Sequence, residues 1–134
     1  MNLEEMEILI QELQERVSML EFREEQMMEQ SHVSEVILDY HINREQYRKI
    51  MDLMDKYREQ IEEKNEVSNA KFEDEIYDIF GGYRKATQRK YPIEYHFCEY
   101  IAKAFMDDGR WEEVFPELYG DMPKYSYLKD EDNE

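Results

Sequence analysis

The chain has 134 residues, 41% hydrophobic and 38% charged, with 34 acids against 17 bases and a net charge of −17. The apolar share can build the core of one domain with an appendage, while the charge share exceeds the roughly 25% of an average globular chain and suits long exposed helices. So large an acidic excess repels phosphate backbones and anionic membrane surfaces, which argues against direct nucleic-acid or membrane binding outside a local basic patch.

Four glycines and three prolines leave little turn material for a many-stranded fold. Glu, Met, Leu, Lys, Gln and Arg are frequent and lose little rotamer freedom in a helix, so the expected class is all-α. The single cysteine, Cys98, has no internal disulfide partner. The N-terminus lacks the basic start and apolar run of a signal peptide, and no stretch approaches the roughly 18 apolar residues that span a bilayer. A reducing, cytoplasmic setting is the expectation.

Residues 1–30 read as a coiled-coil helix. The segment has no Gly or Pro, and its apolar residues alternate at spacings of three and four. Position a holds Leu3, Ile10 and Val17; position d holds Met6, Leu13, Leu20 and Met27; Glu24 interrupts the a series. β-branched residues at a with Leu at d lean towards a parallel dimer, in which Arg16 at g reaches Glu21 at e of the neighbouring helix. Ile8 and Phe22 fall at f, a solvated position in a simple dimer, so the helix is expected to bury a second face against its own domain or in a higher oligomer.

Residues 31–120 read as a small multihelical module. Ser31 or Ser34 starts a short helix through Ile37 and Tyr40. Asn43 and Gln46 have capping-box spacing and open a helix with Tyr47, Ile50, Met54, Tyr57 and Ile61 on one stripe. Ser68 or Asn69 caps the next, with Phe72, Ile76, Ile79 and Phe80 inward, and Gly81-Gly82 ends it. Pro92 suits the first turn of a helix that places Ile93, Phe97, Ile101 and Phe105 on one face and stops at Asp107-Asp108-Gly109. A last short helix begins near Trp111 and includes Val114, Phe115, Leu118 and Tyr119, with Pro116 in its first turn or kinking it. Residues 121–134 read as an acidic, mobile tail. The expected core contains Phe72, Ile76, Phe80, Phe97, Ile101, Phe105 and Trp111.

The stretch from Val33 to Tyr119 resembles a small family of bacterial helical proteins typified by the hypothetical protein YhaI. The matching features are Val36-Ile37-Leu38-Asp39 leading into Ile42-Asn43-Arg44-Glu45, the helix around Ile50-Met51-Asp52, Phe72 before Ile76 and Phe80, and Gly109-Arg110-Trp111 with Val114-Phe115. The resemblance covers about two-thirds of the chain and implies a multihelical fold and an intertwined homo-oligomer. It implies no activity.

Chemical signatures are sparse. A di-iron bundle needs two Glu-x-x-His pairs and two further Glu, whereas this chain has one such spacing, Glu29 to His32, at a helix boundary. No EF-hand loop and no phosphate-binding glycine loop is present. Cys98 lies beside Glu99, which disfavours the thiolate, and reads as buried and inert. No catalytic, cofactor or metal site is therefore expected. The most unusual segment is the connection after Gly81-Gly82. From Ile79 to Ile93 it has no acid, while Arg84, Lys85, Arg89 and Lys90 lie close together. The preferred reading is internal or intersubunit neutralisation of acidic helices; the other is contact with an anion or acidic partner. Tyr91, Tyr95, Tyr100, Tyr119, Tyr125 and Tyr127 crowd the last third, fitting an interface or the rim of a small core equally.

The resulting expectation is a non-enzymatic homo-oligomer, an adaptor or regulator that binds itself and an unidentified protein partner and uses no cofactor. The alternative is an acidic inhibitor from a phage or mobile element that mimics nucleic acid on a target protein.

Overall fold

The structure, a computed structural model, describes residues 1–81 and 95–125. Within them run α1 (Leu3–Glu29), α2 (His32–Asp39), α3 (Arg44–Glu62), α4 (Asn69–Ile79), α5 (Tyr95–Asp107), α6 (Val114–Tyr119) and a 3-10 turn, Pro123–Tyr125. There is no strand among the described residues, so the fold is all-α, a long N-terminal helix followed by five shorter ones.

Local chemistry sets the helix ends. Asn2 Oδ1 accepts the Glu5 amide at 2.8 Å, and the Glu5 carboxylate accepts the Asn2 amide at 3.4 Å, a capping box with two acids in the first turn, where the helix dipole favours them. Gln30 turns left-handed at φ 55° and stops α1. The α1–α2 corner is then tied inside the fold: Ser34 Oγ donates to Gln26 Oε1 at 2.9 Å, and Ser31 Oγ accepts the Ser34 amide at 3.0 Å. Ser31 is thus the cap of α2. Asn43 and Gln46 close the expected capping box on α3 at 2.8 and 3.0 Å, and Ser68 caps α4.

The core forms where α2 packs on α5, α5 on α4 and α6, and α3 on α4 and α6. Ile37, Ile50, Met54, Phe72, Ile76, Phe97, Ile101, Phe105, Val114 and Phe115 are fully buried. Phe80 and Trp111, expected inside, are only half-buried. Each packs nearly perpendicular to a buried ring: Phe80 to Phe97 at 5.6 Å and 88°, Trp111 to Phe105 at 5.0 Å and 90°.

The last helix starts later than the sequence pattern suggests. Gly109 takes φ 76°, and the Arg110 amide returns to the Phe105 carbonyl at 2.8 Å, which closes α5. Trp111 then also adopts a left-handed φ of 47°, which bars it from a right-handed helix. In that conformation its ring reaches Phe105, and its Nε1–H donates to Asp55 at 2.7 Å. α6 therefore begins at Val114, with Pro116 in its first turn. After Gly120, Tyr125 of the 3-10 turn is buried edge-on against Phe115 at 4.8 Å.

Candidate interaction surface

α1 has two unlike parts. Residues 1–18 are exposed on every side, and the helical part, 3–18, projects roughly 24 Å at ~1.5 Å per residue. Beyond that point one face is covered: Phe22 and Gln26 are buried, and Met19 and Arg23 are half-buried. Phe22 lies 5.9 Å from the Tyr47 ring, with the Arg44 guanidinium 5.1 Å above it. Arg23 Nη1 donates to the Leu38 carbonyl at 3.3 Å, and Arg44 pairs with Glu25 at 2.8 Å.

In the heptad register these contacts fall at b, c, f and g. The module thus sits on the outer side of the helix and leaves the a and d positions clear along the whole length. Leu3, Met6, Ile10, Leu13, Val17, Leu20 and Met27 are all exposed, from 44% at Met6 to 69% at Leu3. Leu9, at g, is exposed beside them and widens the strip, a feature its place next to a could have signalled. The second buried face anticipated for the helix exists at Phe22. Ile8 lies beyond the module's reach and is 59% exposed. Scattered apolar residues on a surface are ordinary; seven in one heptad register, broken only at Glu24, are what set this helix apart.

The other candidates divide. Cys98 is fully buried; burial first, then the Glu73 charge, pushes its thiol well above the usual range. Glu29 and His32 fall on different helices, either side of the Gln30–Ser31 turn, so their spacing is not one of a single helical face. Among the described residues no group of three His, Cys, Asp or Glu is placed to hold a metal ion. The tyrosines split between roles: Tyr119 is buried and donates to Glu73 at 2.7 Å, Tyr125 is buried on Phe115, and Tyr100 is exposed. Arg84, Lys85, Arg89 and Lys90 lie outside the described residues, as do Tyr91 and Tyr127.

One polar cluster escaped the sequence reading. Glu99 is 2% exposed, with the Lys124 ammonium 2.8 Å and His96 Nδ1 3.6 Å from its carboxylate. Burial opposes its charge, yet Lys124, the Tyr125 hydroxyl and His96 together hold it below the usual carboxylate range. Glu73 behaves oppositely: burial raises it, the Tyr119 hydroxyl only partly offsets this, and Glu99 and Asp74 add repulsion. Lys124 and Tyr125 together fasten the 3-10 turn to α5.

No protein-family model, curated protein or solved structure matches the chain. No helix among the described residues is long and apolar enough to cross a membrane.

Proposed function

We propose that this is a non-enzymatic homo-oligomeric helical protein, an adaptor or regulator of the cytoplasm that works through protein–protein contacts. The observation that carries the reading is the uncovered a/d strip of α1. A strip of this kind gains from leaving water, at roughly 25 cal/mol per Å², and its period matches a helical partner. The helical module beneath it is the second element, fixed to α1 through Phe22 and Gln26, and it presents the surface for a protein partner. The resemblance to the YhaI-like proteins belongs to the same proposal.

The test is a paired substitution, Leu13→Glu with Leu20→Glu. Both residues lie off the module, so helix content and melting of the module should persist, while light scattering on a sizing column should fall to the single-chain mass. Unburied acids cost little; acids buried without a partner in an interface are strongly unfavourable. A variant that keeps the wild-type mass would remove α1 from assembly.

The alternative reading, an acidic inhibitor that mimics nucleic acid, draws on the exposed carboxylates Glu21, Glu24, Glu25 and Glu29 near the end of α1. It requires tight, salt-sensitive binding to a basic nucleic-acid-binding protein. An adaptor interface that buries aromatic and aliphatic side chains changes far less with salt.

A further inference from the structure

We infer that the α1 strip is covered by α1 of a second copy of this chain, in parallel, so that the two modules lie at the same end of the pair. This rests on the assembly proposed above and adds the occupant and its direction.

The first support is steric. Near the C-terminal end of α1 the module occupies the outer face, at Met19, Phe22 and Gln26. Leu20 and Met27, on the opposite side, stay exposed beside it. The module also covers part of Arg23 at g, but the a and d positions stay open, so a second α1 can reach Leu20 and Met27 with both modules at one end.

The second support is charge. Flanking the strip, Arg16 lies at g, and Glu7 and Glu21 lie at e; all three are exposed. In a parallel pair, g of one helix meets e five residues later in its partner, so Arg16 meets Glu21 of the second copy, twice by symmetry. In an antiparallel pair, e meets e and g meets g. The antiparallel register that overlaps the whole strip sets Leu13 against Val17 and Ile10 against Leu20. It also sets Glu7 against Glu21 twice, Arg16 against its own copy, and Met6 against Glu24. Parallel pairing joins unlike charges; antiparallel pairing opposes like ones. Ile10 and Val17 at a with Leu13 and Leu20 at d also favour two strands. The one conflict is Glu24, which meets its own copy at a in the parallel arrangement. It lies outside the central Ile10–Leu20 layers and weakens the pair there.

The experiment is oxidative cross-linking of the full-length Met6→Cys variant, read on a non-reducing gel beside sedimentation of the same sample. The native Cys98 is fully buried and serves as the internal control. Met6→Cys should form a covalent dimer with itself, since equivalent d positions face each other only in a parallel pair. Arg16→Glu should weaken association by about tenfold, and Arg16→Glu with Glu21→Arg should restore it. A noncovalent dimer in which Met6→Cys does not self-link, but does link to a Glu24→Cys chain mixed with it, would overturn the parallel arrangement and leave the assembly reading intact. A sedimenting monomer would overturn both, and a trimer or tetramer would overturn the two-copy occupant alone.

Discussion

Phe97 is fully buried, with the Tyr40 ring at 4.9 Å and the Phe80 ring at 5.6 Å, both nearly edge-on. Replacing it with Ala removes both contacts and leaves a cavity, at about 3–5 kcal/mol. Against a typical domain stability of about 5–15 kcal/mol, thermal melting should drop far below wild type. An unchanged melt would mean that the ring contributes nothing to the core. The Glu73–Glu99 pair gives a sharper test because the two carboxylates act with opposite sign. Glu99 titrates lower in the fold than in the open chain. Its stabilisation is full above the ordinary carboxylate value near ~4.3 and is lost as pH falls through the depressed folded value. Glu73 titrates higher in the fold, so its contribution is present below the ordinary value and lost as pH rises through the raised one. Glu99→Gln should therefore melt below wild type at neutral pH, the gap closing in acid. Glu73→Gln should melt no lower than wild type at neutral pH, since its amide oxygen still accepts the Tyr119 hydroxyl. Melting curves of both variants from pH 3 to 7 check the pair, and a shift of the same sign in both would refute the assignment.

At the scale of the element, helix ends were legible where one short stretch of chain contains the whole cap. Asn43 with Gln46, Ser68 and Gly109 each act within a few residues of themselves, and each sits where spacing placed it. What could not be read depends on distant partners. Asp108 looks like a helix stop, yet its carboxylate also accepts the His32 and Val33 amides at 3.0 and 2.9 Å, closing the open end of α2 from 75 residues away. Trp111 looks like the start of a helix, and only the positions of Phe105 and Asp55 explain its left-handed backbone. Glu99 lies one turn before buried Ala102, so its inward face was readable; Lys124 as its partner was not. On α1 the exposed apolar residues follow the heptad register; of the two misfits at f, Phe22 is where the module attaches, while Ile8 is exposed. Glu24 is the remaining flaw in that strip. Glu24→Leu should tighten association at least roughly tenfold, from the apolar area it adds to the interface and the like charges it removes. A sedimentation series on this variant tests that directly; association no tighter than wild type would mean that position 24 faces away from the partner.

The whole molecule carries −17 charges, and two copies brought side by side repel over their entire surfaces. Apolar burial along α1 has to exceed that repulsion, which extends about 30 Å at 0.01 M salt and about 8 Å at 0.15 M. Self-association should consequently strengthen as salt rises from low to physiological levels, the reverse of the salt response expected for acidic mimicry of nucleic acid. The parallel arrangement makes the repulsion greatest where the two modules share one end. The most direct measurement is sedimentation equilibrium of the wild-type chain at micromolar concentration in ~0.15 M salt, where screening is substantial. The account predicts a mass of twice 16.6 kDa. A mass of 16.6 kDa across that concentration range would contradict it.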